Sequence, residues 1–362
     1  TGSLRPAEDD GGLTAAGEKA LAGAQKQAAA TGKPVRVDAL TTETATTTAN
    51  PSGTVTYDSS LLPVRIRKAH NWVPVDATLK RKADGTWSPT AAAEPVTFSG
   101  GGTTPLAIMS KGPASLALSW PHALPTPHAS GASLTYPDVL PDVDLRLTAD
   151  TQGGWSQVLV VKTAQAATDP ALAQLALTTR AKGVTVTDDG HGNLSATTPD
   201  GKVLFSAPQP AMWDSSGTGP TTGAPESGPG PRAQVARVKG HLNGRTLSLV
   251  PDAKLLTGAH TRFPVYIDPA WNPHYATGAK QHYVETQQGC PTAKNYDSTQ
   301  YGDPGVGYNS WSGCIGGERS YFQLAVPSSI YGAHIVSATV DAKENYSASC
   351  SLSSDVYLYW SG

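Results

Sequence analysis

The chain has 362 residues, a length that corresponds to about two domains of ~150 residues each. Glycine and proline contribute 37 and 29 residues, whereas charged residues make up only 15%, against the ~25% of typical soluble domains. Abundant turn formers with few lysines and glutamates exclude a coiled coil or a helical solenoid. The net charge of −2 excludes a molecule-wide basic field for nucleic acid. No apolar run approaches the ~18 residues that a membrane span requires.

The first 32 residues form a segment of their own. Residues 1–12 carry no hydrophobic periodicity, whereas Leu13 to Ala30 is rich in alanine and places apolar residues at helical spacing. Gly32 and Pro34 end this pattern, and two internal glycines weaken it. We therefore predict a tail followed by one marginal helix.

From Val35 onward the hydrophobic pattern has a period of two. Short alternating stretches such as Ser115 to Trp120 and Asp144 to Thr148 are separated by turn residues, which indicates antiparallel β-structure with one solvated face. We predict one large antiparallel β-sandwich domain over residues 33–273. Within it, a short helix is expected over ALAQLAL, because Thr168-Asp169-Pro170 supplies a capping residue and an early proline.

Two segments of this domain are rich in turn formers. Residues 214–232 contain no apolar residue larger than Ala224, so we predict a flexible loop that leaves and re-enters the same domain. The stretch from Asp268 to Pro273 contains two further prolines, including Pro269. We predict that these prolines stop the last strand and that the domain boundary lies there.

The remaining residues, 274–362, differ in composition from the rest. They contain ten of the 13 tyrosines, all three cysteines, and four basic against seven acidic residues. We therefore predict a second, smaller β-domain. Its strands are expected at Gln281 to Thr286, Arg319 to Ala325, His334 to Lys343 and Asp355 to Trp360.

The sequence lacks several common catalytic and nucleotide-binding motifs. The sequence has no G-x-S-x-G, H-E-x-x-H or Walker motif, and no G-x-G-x-x-G between a strand and a helix. The densest acidic cluster of the large domain is Asp138, Asp142 and Asp144. It could form a calcium site or a catalytic carboxylate pair, or it could consist of turn residues that open strands beside prolines. Turn residues are the interpretation that we favour. His122 and His128 are expected on a surface loop.

Aromatic residues of the smaller domain give the clearest candidate for a binding site. Trp311 lies in the glycine-rich stretch GVGYNSWSGCIGG (305–317). Tyr296, Tyr301 and Tyr308 precede Trp311 in the chain. Aromatic rings on a β-sandwich can stack on the apolar faces of sugars, while nearby amides and carboxylates bond the hydroxyls. The alternative is that these rings only cover an edge of the sandwich.

Three segments of the large domain carry a family resemblance. They are similar to the N-terminal β-region of large secreted proteins of high-GC Gram-positive bacteria, in which this region precedes DNRLRE-type or LamG-type domains and sometimes RHS repeats. The segments are TYPDVLPDVDLRLTADTQGGWSQVLVVK (135–162), FSAPQPAMWDSSG (205–217) and FPVYIDPAW (263–271).

The smaller domain resembles the first half of a DNRLRE domain, a jelly-roll-like β-sandwich related to carbohydrate-binding modules. The DNRLRE hexapeptide itself is absent from the chain. The segments that carry the likeness are GVGY (305–308), RSYFQL (319–324), GAHIVSATV (332–340) and SSDVYLYWSG (353–362).

The resemblance implies a secreted or cell-surface protein with a partial jelly-roll-like fold over residues 274–362. It favours a non-catalytic module for glycan binding, adhesion or scaffolding within a longer protein. The expected partners are a polysaccharide or cell-wall glycan and the C-terminal domains of the same longer chain, without nucleic acid. One alternative is the encasing or anchoring region of a secreted RHS-type toxin, and a second is a polysaccharide-degrading enzyme. No cofactor is expected apart from a candidate calcium ion.

The cysteines Cys290, Cys314 and Cys350 give a further prediction. An odd number is compatible with a free thiol or an intermolecular bond. Cys290 and Cys314 flank the loop that carries the candidate aromatic residues, and a crosslink there would offset roughly 3 kcal/mol of chain entropy. The secreted resemblance implies an oxidising compartment, which permits this bond. Cys350 is then expected to be a free thiol in this chain, with a partner beyond Gly362.

Overall fold

The chain forms two compact units in a computed structural model. The large unit is Pro63–Tyr275, and the small unit combines Thr1–Leu62 with Ala276–Gly362. The structure describes residues 13–216, 228–229, 232–268, 270–273, 280–293, 296, 305–309, 314–324 and 334–341.

Helices are few in this part of the chain. None of those described is long and apolar enough to cross a membrane. The α-helices are α1 (Ala15–Thr31), α2 (Pro170–Ala173) and α3 (Ala253–Leu256), and two 3-10 turns occupy Asp38–Leu40 and Ala166–Thr168.

Helix α1 confirms the prediction of an N-terminal helix. The Thr14 hydroxyl accepts a hydrogen bond from the Gly17 backbone N–H and caps the first turn. Gly32 ends the helix in the left-handed conformation, at a φ of 66° that favours glycine.

The helix packs on a small antiparallel sheet, which has β2 (Ala45–Ala49) between β1 (Val35–Arg36) and β3 (Val55–Ser59). Ala24 and Ala28 of the helix share a buried cluster with Val37 and Ala49. We predicted that residues 33–62 open the large β-domain. Instead they build a separate core with α1, because the alanine stripe of the helix gives this sheet its own apolar cover.

The large unit contains two extended antiparallel sheets and one hairpin, with β4 (Arg65–Lys68) paired to β5 (Asn71–Pro74). The first sheet has eight strands, which in spatial order are β21 (Lys239–Asn243), β22 (Thr246–Val250), β15 (Leu175–Lys182), β10 (Ala114–Ser119), β9 (Ala107–Lys111), β8 (Val96–Phe98), β7 (Trp87–Ala91) and β6 (Asp76–Arg81).

The second sheet has eleven strands. Its main path runs through β11 (His128–Ser130), β12 (Ser133–Leu140), β13 (Val143–Ala149), β14 (Trp155–Val161), β24 (Ala270–Pro273), β18 (Val203–Ala207), β17 (Leu194–Thr197) and β16 (Thr185–Asp188). Beside this path, β23 (Val265–Asp268) pairs with β14, β19 (Ala211–Trp213) with β23, and β20 (Val235–Arg237) with β19.

The two large sheets form a β-sandwich. One continuous cluster of buried side chains contains Leu116 and Leu177 of the first sheet together with Leu145 and Leu159 of the second. Burial alternates residue by residue along β10 and β13, as the period-two pattern predicts. The buried Tyr136 hydroxyl donates a hydrogen bond to the Ser99 carbonyl at 2.7 Å and ties the sheets together. The prediction of an all-β fold is confirmed.

The short helix predicted over ALAQLAL is only partly correct. Asp169 caps α2 by accepting a hydrogen bond from Ala171 N at 2.8 Å, but the helix ends at Ala173. Leu175 and Leu177 then belong to β15, where they are buried and lie opposite Leu249 and Leu247 of β22. Pairing with β22 and burial in the core outweigh the local preference of this leucine- and alanine-rich run for a helix.

The last strands of the large unit end in the segment that carries the two prolines. Strand β23 ends at Asp268, and β24 continues the sheet to Pro273, with Trp271 opposite Trp155 and Pro273 opposite Phe205. Trp271 is buried against the sandwich core, and this burial holds β24 in the sheet. The large unit ends at Tyr275, two residues after the boundary predicted at 273.

The predicted loop at 214–232 begins later than expected. Asp214 is fully buried, and Ser215 and Ser216 are part-buried next to it. Strands β19 and β20 pair directly, so the segment between them is an excursion within one sheet. Residues 217–227 and 230–231, where we predicted flexibility, lie outside the described residues.

The last described strands belong to the small unit. Strand β27 (Gly316–Leu324) lies between β25 (Lys280–Gln287) and β26 (Gly307–Asn309) in an antiparallel sheet. Two of the predicted strands are thereby found. The strand predicted from His334 is not, since residues 334–341 are exposed and form no strand. Its alternating pattern has no ladder partner among the described residues, and an alternating sequence forms a strand only when a neighbour pairs with it. The strand predicted at 355–360 lies outside the described residues.

Candidate functional site

Three tyrosines lie on one face of the sheet formed by β25, β26 and β27. Tyr321 is opposite Val284, and Val284 also forms a bridge to Tyr296. Tyr308 is opposite Gly317, which shares a face with Tyr321 because side chains alternate along a strand. The exposed fractions of Tyr296, Tyr308 and Tyr321 are 58%, 72% and 41%. These rings are therefore open to solvent and available to a ligand.

The side chains of His282 and Arg319 lie on the same face as these rings. The His282 ring stacks on Tyr296 with 5.2 Å between ring centroids and 26° between planes. Arg319 lies between Gly317 and Tyr321 on the same face of β27, and it is exposed. We call the surface formed by His282, Tyr296, Tyr308, Arg319 and Tyr321 the tyrosine face. It offers aromatic rings for stacking, together with the guanidinium of Arg319 and the imidazole of His282.

The opposite face of the same sheet carries a network of polar side chains. Glu285, which is buried, accepts a hydrogen bond from Gly305 N at 3.0 Å. The Ser320 hydroxyl donates to the Gly305 carbonyl at 2.6 Å. Both contacts fix the chain just before β26 and thereby position Tyr308. Glu318 accepts from the amides of Gln287 and Asn309, at 2.9 and 3.2 Å respectively.

This network gives the two glutamates a structural task. Each carboxylate is engaged by neutral donors of adjacent strands, and the tyrosines point to the other side of the sheet. The two glutamates therefore support the sheet from the side opposite to the tyrosine face.

A disulfide bond closes the loop between β25 and β27, as predicted. The sulfur atoms of Cys290 and Cys314 are 2.05 Å apart, and the two cysteines are separated by 24 positions in the chain. Gly289 lies against the partner segment, because a Cβ on it would be only 2.3 Å from the Ile315 carbonyl oxygen. Cys350, predicted to be a free thiol, lies outside the described residues.

The structure brings two of the four predicted ligand-binding aromatics to one face. Tyr296 and Tyr308 are both on the tyrosine face, while Tyr301 and Trp311 lie outside the described residues. Sequence analysis missed Tyr321, Arg319 and His282. The alternation in RSYFQL was the signal that could have identified the first two, since it places Arg319 and Tyr321 on one side of a strand.

The acidic cluster of the large unit, Asp138, Asp142 and Asp144, contains two turn residues. Asp138 and Asp142 both have left-handed backbone, with φ of 47° and 57°. The Lys162 ammonium lies between Asp138 and Asp144, with N–O distances of 3.0 and 2.6 Å, where a cation would have to sit. Contact with these two carboxylates raises the pKa of Lys162. The described residues contain no group of three acidic, histidine or cysteine side chains that could hold a metal ion.

Two aspartates of the large unit, the buried Asp214 and the half-buried Asp268, have unusual surroundings that sequence patterns did not predict. Asp214 accepts hydrogen bonds from both Gln234 and Ser216, each through its backbone N–H and side chain, and from Arg262 N. Burial opposes its ionisation, but these bonds outweigh burial and lower the pKa. Asp268 has the opposite environment. Its Oδ1 atom is buried without a partner, and burial raises its pKa to about 6.

Comparison with known proteins identified no relative of this chain. Neither the protein-family models, nor the curated proteins, nor the solved structures gave a match.

Proposed function

We propose that the chain is a non-catalytic glycan-binding module, secreted or displayed at a cell surface, and that the tyrosine face holds the sugar. The observation that carries this proposal is the exposure of Tyr296, Tyr308 and Tyr321 on one side of a single sheet. Exposed aromatic rings that share one face of a sheet can stack on the apolar faces of sugar units. The disulfide supports an oxidising compartment outside the cytosol.

The exposure of Tyr308 distinguishes this role from simple coverage of the sheet. A covering aromatic residue buries most of its ring, whereas Tyr308 is 72% exposed and lies in a strand that is fixed from behind. A rigid strand presents its ring in a preformed orientation, which lowers the entropy lost on binding. The polar groups of Arg319 and His282 can then bond sugar hydroxyls.

The test is a polysaccharide-binding assay on the full chain and on its Tyr308→Ala variant. A glycan array first identifies the polysaccharide that the native chain retains. We expect Tyr308→Ala to lose about 1–3 kcal/mol of binding free energy, as for a stacked aromatic anchor. The fold should be unaffected, because the ring makes little contact with the core.

Two variants control this experiment. Tyr308→Phe keeps the ring and should retain most of the affinity. Tyr57→Ala removes a half-buried tyrosine of β3 and should leave binding unchanged. No retention of any glycan by the native chain, or equal affinity of Tyr308→Ala, would contradict the proposal.

A further inference from the structure

The carboxyl group of the half-buried Asp268 has no partner that stabilises it. Its Oδ1 atom is buried without a hydrogen bond, and none of the ion pairs among the described residues involves it. Asp214, in contrast, accepts hydrogen bonds from several neighbours. An unsatisfied polar atom in a protein interior costs free energy, so the Asp268 carboxyl points to a role other than stability.

Apolar side chains share the face of the sheet to which Asp268 points. Asp268 is opposite Ala211 of β19, and it alternates with the core residue Ile267, so it faces away from the sandwich core. The buried residues of this outer face form a small apolar cluster of Val158, Trp213 and Tyr266. Burial raises the pKa of Asp268 to about 6, so the neutral carboxyl persists into mildly acidic solution.

The charged residues of this outer face are further away. Arg146 of β13 and Arg237 of β20 are on the same face, but one strand separates each of them from the strand of Asp268. The ion pair of Asp144 and Lys162 lies on this face as well. Arginines favour an ionised carboxylate and would lower its pKa, whereas burial raises the pKa, and burial prevails. Burial therefore decides the state of this carboxyl.

The residue after Asp268 is a proline, and the bond between them joins β23 to β24. Strand β14 pairs with β23 at 159–161 and with β24 at 155–156, so its ladder is interrupted at Gln157 and Val158. The Oε1 atom of Gln157 is buried at this interruption and has no hydrogen-bond partner. An interrupted ladder, an unpartnered acid and an unpartnered acceptor thus lie at one peptide bond.

We propose that the protein cleaves its own chain at the Asp268–Pro269 bond. An oxygen of the neutral Asp268 carboxyl attacks the main-chain carbonyl carbon of the same residue and forms a cyclic anhydride. The bond to the Pro269 nitrogen breaks, and the carboxyl proton moves to that nitrogen. Water then opens the anhydride, so that the net reaction is hydrolysis of one peptide bond. Because the attacking and attacked atoms belong to one residue, the attack has a high effective concentration.

The surroundings of this bond favour the reaction. Burial keeps the carboxyl neutral, so the proton that the leaving nitrogen needs is present. Proline has no backbone N–H within the chain, and the nitrogen gains one on cleavage. The unpartnered Gln157 oxygen can accept a hydrogen bond from this new N–H.

The two products are residues 1–268 and 269–362, and the second carries β25, β26 and β27 with the tyrosine face. Strand β24 should remain in the sheet after cleavage, because Trp271 is buried and is opposite Trp155. The pieces should therefore stay associated until the protein is denatured. The reaction is separate from glycan binding, and it can be tested without a glycan.

The experiment incubates the full chain at pH 5 for several days and analyses it by denaturing mass spectrometry. Asp169–Pro170 is an internal control, because the Asp169 carboxylate accepts a hydrogen bond from Ala171 N at 2.8 Å. We expect cleavage after Asp268 to be at least about tenfold faster than after Asp169, and at least about tenfold slower at pH 8 than at pH 5. In concentrated urea the two bonds should be cleaved at equal rates. Hydroxylamine should trap the anhydride as a hydroxamate at Asp268.

Two variants complete the test. Asp268→Asn removes the attacking carboxyl with little change in shape and should abolish cleavage at this bond. Asp169→Asn is the matched control and should leave cleavage after Asp268 unchanged.

Each other result overturns the proposal. A folded chain that stays intact at pH 5 would show that the Asp268 carboxyl is unreactive. Equal rates at Asp169 and Asp268 in the folded protein would reduce the cleavage to the ordinary acid lability of Asp–Pro bonds. Preference for Asp268 that persists in urea would assign it to local sequence rather than to the fold. Cleavage of Asp268→Asn at the native rate would assign it to a contaminating protease.

Discussion

At the scale of single residues, Asp214 and Asp268 show how neighbouring donors decide the state of a carboxylate. Asp214 follows β19 and Asp268 is the last residue of β23, but only Asp214 is surrounded by hydrogen-bond donors, whereas the Asp268 Oδ1 atom has no partner. The local sequence does not reveal this difference, because Gln234 and Arg262, which donate to Asp214, are 20 and 48 positions away in the chain. Such pairings depend on sheet register and are not visible in local patterns.

Asp268 gives a prediction for the pH dependence of stability. Its pKa is raised from the ordinary 3.8 to about 6, so the folded state keeps the proton to a higher pH than the unfolded state. The free energy of unfolding should fall as the pH rises from about 4 to about 6, and then remain level. Asp268→Asn should remove this loss and stabilise the protein at pH 7 by about 1–3 kcal/mol.

Urea unfolding at pH 4 and pH 7 measures this effect. The control is Asp76→Asn, which changes a half-buried aspartate whose pKa is lowered by hydrogen bonds from Thr78, and it should give no gain at pH 7. Equal stability of Asp268→Asn and the native protein at pH 7 would show that the Asp268 carboxylate is solvated.

At the scale of elements, the sequence pattern predicts the helices and strands that are stabilised by residues of their own segment. Helix α1 has its caps within the segment, and the hairpin of β16 and β17 has its turn residues between the strands. Leu175 and Leu177 were assigned to a helix because their strand partners are distant in the chain. The same reason explains β24, whose prolines suggested a stop while burial of Trp271 keeps it in the sheet.

Only part of the candidate site could be predicted from the sequence, as was the case for the strands. The tyrosine-rich composition and the Cys290–Cys314 pair were visible in the sequence, and the disulfide is confirmed. The face on which each ring lies depends on the register of β25, β26 and β27, which only the fold provides. His282 therefore became a candidate only when its stacking on Tyr296 was known.

The disulfide gives a prediction at this scale. Cys290 follows β25 and Cys314 precedes β27, so the bond holds the ends of two paired strands. Cys290→Ser/Cys314→Ser should destabilise this sheet by roughly 3 kcal/mol, since the open loop gains chain entropy in the unfolded state. Hydrogen exchange of the β25 and β27 amides measures the change. Cys350→Ser is the control and should leave exchange unaltered, and equal protection in the double variant would contradict the entropic role.

At the scale of the whole molecule, the two units differ in what they present to solvent. The small unit presents exposed tyrosine rings on a three-stranded sheet, whereas the large unit is built around the buried core of a β-sandwich. The proposed function depends on one interaction, the binding of a polysaccharide to the tyrosine face.

The most direct measurement of that interaction is a hydrogen–deuterium exchange footprint of the full chain with the best polysaccharide from the glycan array. We expect protection in β25, β26 and β27, at 282–286, 307–309 and 317–323, because a ligand on the tyrosine face covers and stiffens these strands. Protection that is confined to the large unit, or the absence of any bound polysaccharide, would contradict the proposed function.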